Sequence, residues 1–485
     1  MKLSAVYYPL VFFSVVFLAA CQGAAQPTLE APVPTQGIPE QLLPPDRSAS
    51  GALLPVDPVP FQGIEIKGIE DLPNAGAANA QWVRYNGLFW SQVEPEEGSR
   101  DWAQAANLEG VVQGLSAQNQ EVILIVRGTP TWAQAVPESV CGPILPEKLP
   151  AFAAFLSEAV SRYSQPPYNV KYWELGNEPD VDPAAIRPNA PFGCWGNPAD
   201  ENFGGGYYAE MLKLAYPQIK AADPEAQILV GGLLLDCDPL NPPETEPDSG
   251  VLKDCRSSRF LQGILENGGG DYFDGISFHA YDYYQGSMGS YSNINWHSSW
   301  DTTGPVFKAK LDYLRAVLSS FGYPDKYLMN TETALLCGRD GTEPVCQTEE
   351  FARTKANYLA AANSAALAER LRANIWYSLQ GWRGSGLLGA DGQPNQAFRS
   401  FQFNREMLSG VVNVIEVQDY PGVKAFEFLT EDIRIWVMWS ADGSIRELQF
   451  AQQPSAIFNV LGEEHAPGMS LTITPEPVYV VWPLG

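Results

Sequence analysis

From residue 62 to about residue 380 the chain alternates short apolar runs with longer stretches in which apolar positions recur every third or fourth residue. The short runs are 62–67 (QGIEIK), 81–86 (QWVRYN), 121–127 (EVILIVR), 170–176 (VKYWELG), 227–233 (QILVGGL), 274–280 (DGISFHA), 326–332 (KYLMNTE) and 373–380 (ANIWYSLQ). Their length and their valines, isoleucines and aromatics are strand signals. Helical periodicity lies between them, for example over 148–163, 207–222, 305–320 and 349–371, and again around 395–408. Strands that alternate with helices imply a parallel sheet, and eight such repeats predict a closed (β/α)8 TIM barrel of α/β class over 61–408. Beyond residue 411 the period changes to two. Runs at 423–429, 432–439, 445–450, 455–459, 470–474 and 477–482 predict a small β-sandwich domain over 409–485, with Asp442-Gly443 as a hairpin turn.

The beginning of the chain has another character. Lys2 precedes an apolar run over 5–18, closed by Leu18-Ala19-Ala20-Cys21. This resembles the lipobox of a bacterial lipoprotein signal peptide, which implies removal of 1–20, lipidation of Cys21 and an exported, membrane-anchored protein at the cell surface or in the periplasm. The Pro-, Ala- and Gln-rich stretch over 21–60 reads as a tether.

Composition narrows the function classes. The 485 residues carry 30 Lys+Arg against 56 Asp+Glu, a net charge of −26. Such a surface repels phosphate backbones, which argues against nucleic acid as a partner. With Cys21 assigned to lipid, six of the seven cysteines remain, an even number suited to an oxidising compartment. Their spacing suggests Cys237–Cys255 and Cys337–Cys346, with Cys141–Cys194 joining two loops. There is no Cys-x-x-Cys, and only three histidines occur, so no zinc site and no cofactor are expected.

A TIM barrel builds its site at the carboxyl ends of its strands. The fourth run ends in Asn177-Glu178-Pro179 and the seventh in Thr331-Glu332-Thr333, so each sets a glutamate at the barrel mouth. Two facing carboxyls are the working parts of a glycosidase, one as acid and one as nucleophile. Glu174 is read as pointing oppositely in the strand, as a barrel group or one that supports the site from behind, and receives no role.

Asn177-Glu178-Pro179, preceded by Tyr172-Trp173-Glu174-Leu175, resembles the strand-four signature of the clan A glycoside hydrolases. The resemblance covers about 62–403 and includes Trp82-Val83-Arg84, Trp90-Ser91-Gln92-Val93-Glu94-Pro95, Thr129-Pro130-Thr131-Trp132-Ala133 and His279-Ala280-Tyr281. The barrel-plus-sandwich layout is similar to xylosidase- and iduronidase-like members. It implies a retaining enzyme acting on a carbohydrate, with Glu178 as acid/base and Glu332 as nucleophile. Arg84 and Tyr281 would touch the nucleophile, and Asn177 would reach the sugar 2-hydroxyl. His279 is either a substrate-binding or a core histidine. Trp376 is a substrate or barrel-packing residue, and Trp382 a stacking platform. Tyr283, Tyr284, Trp195, Trp296 and Trp300 are further aromatic candidates. A transglycosylase on the same residues and a non-catalytic glycan-binding lipoprotein stand as alternatives. Sugar, linkage and oligomeric state are left open.

Overall fold

The computed structural model describes residues 61–483 apart from 187–189, 191, 194, 244–252 and 297–304. The leader, the tether, Cys21, Cys194 and Trp300 lie outside the described residues. Eight parallel strands close a barrel: β1 (Gln62–Ile66), β2 (Trp82–Phe89), β3 (Glu121–Arg127), β4 (Tyr172–Asn177), β5 (Gln227–Leu233), β6 (Gly275–Tyr284), β7 (Tyr327–Leu336) and β8 (Ala373–Trp376). The hydrogen-bonded order is β5-β4-β3-β2-β1-β8-β7-β6, and β6 pairs back to β5. The last strand ends at Trp376 rather than near 380.

Strand alternation sorts the side chains. Trp82, Ile123, Tyr172, Leu229, Met329, Ala373 and Ile375 come from six strands and pack against one another as the inner core. Ile64, Val83, Leu124, Trp173, Val230, Ile276 and Trp376 take the opposite parity and join the outer core under the helices. A side chain at Gly63 would strike Ile375 and Trp82, so this inward position on β1 has no room for one.

The helix Glu349–Ala368 starts on Thr348, whose side chain accepts from Phe351 N–H, with Glu349 and Glu350 in its first turn. Both features favour a helix start. It is buried on every side. The reason lies beyond the barrel. A six-stranded antiparallel sheet, with Val423–Leu429, Ile433–Ser440 and Val478–Pro483 at its centre, lays Phe426, Phe428, Ile435, Val437 and Tyr479 into the same apolar core. Asn404 on the helix Gln396–Met407 donates to the Tyr479 hydroxyl at 2.8 Å. On the other face Trp436, Met438, Val480 and Trp482 meet Leu448 and Ile473 from the two-stranded ladder Arg446–Gln449/Ser470–Ile473. The expected sandwich is therefore present, but Asp442-Gly443 does not make a hairpin. Ile433–Ser440 pairs with Val423–Leu429 and Val478–Pro483, so the turn carries the chain from one sheet to the other.

Two of the expected disulfides are formed, Cys237–Cys255 and Cys337–Cys346. Cys141 is also disulfide-bonded.

Candidate active site

Two local departures from regular strand geometry aim the glutamates. On β4, inward Glu174 is followed by Leu175, which faces the outer core. Gly176 then takes φ 93° and Glu178 φ 50°. The left-handed glycine breaks the alternation, and Asn177 and Glu178 both turn to the axis. On β7, Met329 faces inward, so simple alternation would send Glu332 to the helices. The register prevents this: Phe278 pairs with Asn330 but His279 with Glu332, and β8 shows the same one-residue slip. The extra residue, Thr331, is a bulge that flips the phase.

The two carboxyls meet across His279. One oxygen of Glu178, one of Glu332 and one ring nitrogen of His279 lie within 4.8 Å of one another. His279 Nδ1 is 2.9 Å from Glu178 Oε1, and Nε2 is 3.5 Å from Glu332 Oε1 with no hydrogen-bond partner. The ring is fully buried, and burial, Arg84 and Lys310 hold its pKa well below the usual value. It is therefore neutral with one proton. On Nδ1 that proton is donated to an ionised Glu178. On Nε2 it faces Glu332, and Nδ1 accepts from a protonated Glu178. Such a trio of donors could hold a cation, but the Arg84 guanidinium already lies 2.5 Å from Glu332 Oε1.

Arg84 organises the floor. Nη1 also reaches Glu65 Oε2 at 2.6 Å, and Nη2 reaches Glu174 Oε1 at 2.5 Å and Asn177 Oδ1 at 2.6 Å. One cation thus faces three carboxyls, too few charges for all three to ionise freely in a buried place. Burial, helped by the charges of Glu332 and Glu174, pushes Glu65 up to about 8 against the pull of Arg84. Tyr281 donates its hydroxyl to Glu332 Oε2. Burial and the Glu332 charge raise the Tyr281 pKa, so it stays a donor.

The glutamates are thereby made unequal. Burial raises both. Glu332 has Arg84 and Tyr281 to favour its ionised form. Glu178 is raised well above the usual carboxyl value, by burial first and then by the charges of Glu332 and Asp180. Two close carboxyls with split affinities form an acid and an anion side by side.

The structure brings Arg84, Asn177, Glu178, His279, Tyr281 and Glu332 together. Trp376 is placed elsewhere: it is buried, packs on Tyr358, and its indole donates to Ser385 O at 3.0 Å. The next residue, Tyr377, has the inward parity of Ala373 and Ile375. Half-buried, it sits edge-on to Tyr281 and feels the charges of both glutamates. Trp382, 51% exposed, lies on the loop after β8 against Arg383. Of the other aromatics, Tyr283 sits under Arg383 and half-buried on β6, while Trp195, Tyr284 and Trp296 are buried.

Four residues were missed. Glu174 does not point away; it faces inward and takes Arg84 at full burial. Glu65 does the same from β1. Lys310 reaches up from the helix Phe307–Ser320 to the carbonyls of Leu234 and His279. Gly232 leaves space for His279, whose Nε2 would lie 2.1 Å from a Cβ there. A charged residue inside an apolar strand run was the available signal for the two glutamates.

No family model matches the chain, and no curated protein matches it. Solved structures do. A family 39 glycoside hydrolase from the gut symbiont Bacteroides cellulosilyticus WH2 superposes with a TM-score of 0.64 at 16% identity, over 88% of this chain and 81% of its own. A GH30 endoxylanase from Clostridium papyrosolvens C71 gives 0.57 at 11% identity, over 89% and 98%. The family 51 α-L-arabinofuranosidase AbfB from Bifidobacterium longum gives 0.56 at 14% identity, over 89% and 98%. At these identities the likeness is one of fold, and this chain shares its barrel and C-terminal β-sheet layers with solved glycoside hydrolases.

Proposed function

We propose that the protein is a retaining glycoside hydrolase with Glu178 as acid/base and Glu332 as nucleophile. One observation carries the reading: oxygens of the two carboxyls approach within 4.8 Å. Retaining enzymes hold theirs roughly 5–5.5 Å apart, whereas inverting enzymes leave about 6.5–9.5 Å for a water. In the first step Glu332 attacks the anomeric carbon while Glu178 protonates the departing glycosidic oxygen. The C–O bond breaks and a glycosyl ester forms on Glu332. Esterification removes the Glu332 charge, one of the causes that keep Glu178 protonated. Glu178 then takes a proton from water as the water attacks the anomeric carbon, and Glu332 leaves. Neutral His279, with a nitrogen toward each carboxyl, can bond to Glu178 in either state.

Glu332→Ala is expected to lower kcat by about 10⁴-fold or more, with partial rescue by azide, since the nucleophile itself is lost. Glu178→Ala should spare aryl glycosides with good leaving groups and fail on poor ones. Full activity of both variants on every glycoside would sink the assignment.

The disulfides fit an oxidising compartment. Export through residues 1–20 and anchoring at Cys21 are part of this proposal. The check is incorporation of labelled palmitate, expected for the full chain and absent from Cys21→Ala.

A further inference from the structure

The mouth of the barrel holds a second arginine that the proposed hydrolysis does not use. Arg127 ends β3 with the inward parity of Ile123, and the register sets it beside Phe89 at the end of β2. Asn86 Oδ1 fixes it, accepting from Nε at 2.5 Å. The guanidinium carbon lies 4.4 Å from the centre of the Phe89 ring. Neither Nη makes a hydrogen bond to another described residue, and no described carboxylate pairs with it. The contrast with Arg84, which has three carboxyls, is sharp.

This arrangement needs a reason. A half-buried guanidinium without an anion loses hydration and gains little in return. Burial first, with the charge of Arg84 and against the pull of Glu65, brings the Arg127 pKa down to about 10. The register locates it at the carboxyl end of β3, on the strand next to the one that carries Arg84. Glu65, pushed up to about 8, is mostly uncharged at neutral pH and so does not balance Arg127. What the position offers is a planar cation, held through Nε by Asn86 and against one face by the Phe89 ring, with neither Nη bonded to a described residue. That is the geometry for receiving two oxygens of an oxyanion.

We propose that Arg127 binds an anionic substituent of the glycan, a sugar carboxylate or sulfate, so that the substrate class is an acidic saccharide. Charge supports this over a neutral hydroxyl partner. Within the protein's net charge of −26, Glu174 and Glu332 stand at the mouth as partners of Arg84. An acidic glycan would be repelled there unless one cation were reserved for it, and Arg84 is already engaged. The proposal rests on the glycosidase reading for its substrate, although the anion site can be tested apart from turnover.

The test uses the full chain and paired chromogenic glycosides of both anomers: glucoside against glucuronide, galactoside against galacturonide, and galactoside against its 6-sulfate. Wild-type kcat/KM should be higher on an acidic member than on its neutral twin, and which acid wins separates carboxylate from sulfate. Arg127→Gln should lose about tenfold to a hundredfold on the acidic member, mainly through KM, the effect of removing a charge-assisted hydrogen bond. Its loss on the neutral twin should be at least about tenfold smaller, with Arg127→Lys in between. The neutral substrate also reports on misfolding within the same variant. Equal losses on both members, or a wild-type preference for neutral glycosides, overturns the proposal. Calorimetric binding of acidic oligosaccharides without turnover of any glycoside would overturn the hydrolase reading and keep the Arg127 site. Neither binding nor turnover overturns both.

Discussion

At the scale of single residues, the site works through unequal neighbours of two similar carboxyls. Tyr281 and Arg84 donate to Glu332, whereas among the described residues the Glu178 carboxyl has only neutral His279 in hydrogen-bond contact. Tyr281→Phe removes one donor and keeps the ring. The hydrogen bond lowers the Glu332 pKa, so its loss lets that pKa rise. A nucleophile must be ionised, and the acidic limb of the kcat/KM profile should therefore move to higher pH. The shift should approach one unit, and kcat/KM on the acidic limb should fall by up to about tenfold. An unmoved limb would mean that Tyr281 only packs. Glu178 and Glu332 themselves were legible in the sequence, because each ends an apolar run. Glu65 and Glu174 were not. Their runs show a charge inside a strand but nothing in the string says that Arg84 waits opposite.

At the scale of elements, breaks in strand regularity make the site. Gly232 on β5 has the clearest consequence. A methyl there would meet His279 Nε2 at 2.1 Å, and the imidazole cannot retreat far while buried between two glutamates. Gly232→Ala should cost about 1–3 kcal/mol in denaturant unfolding, as overpacking does. It should also lower kcat by displacing the His279 contact to Glu178. Adding His279→Ala should restore most of the stability and none of the activity, and independent additive effects would count against this contact. The bulge at Thr331 shows the same principle. Without the extra residue Glu332 would face the helices, as Asn330 does in reaching Asn374 at 2.8 Å. Trp376 and Tyr377 are its mirror image: the sequence names an aromatic pair, and strand parity decides that the tyrosine joins the site.

For the whole molecule, the buried titratable groups set how stability follows pH. Glu65 is raised to about 8, Asp282 to about 7 and Asp180 to about 6, in each case chiefly by burial. Unfolded carboxyls titrate near 4, so between about pH 4 and 8 the folded state keeps protons that the unfolded state has shed. Stability from these groups is complete below the unfolded values and is lost as pH rises through the folded ones. Lys355, lowered to about 7, and Lys310, lowered to about 8, act the other way. There the unfolded state binds more protons between about 7 and 10.5, so stability is regained with rising pH. The melting temperature should fall from about pH 5.5 to 8 and flatten above it. A melting temperature that rises steadily across this range would contradict the burial of these carboxyls.

The sequence by itself determined the eight strand runs, the switch to two-residue periodicity after residue 411, two disulfide pairings and the two glutamates that follow apolar runs. All are local properties: spacing, period and position relative to a run. Tertiary structure decided which way each strand faces at its end, through a bulge at Thr331 and a left-handed turn at Gly176. It placed Tyr377 rather than Trp376 beside Tyr281, joined the C-terminal sheet to the helix Glu349–Ala368, gave Arg84 three carboxyls and left Arg127 with none among the described residues. Barrel closure brings together residues far apart in the chain, and only their registers say which charges become neighbours. For that reason the two glutamates proposed as catalytic were readable from the string, whereas the neighbours that split their proton affinities were not.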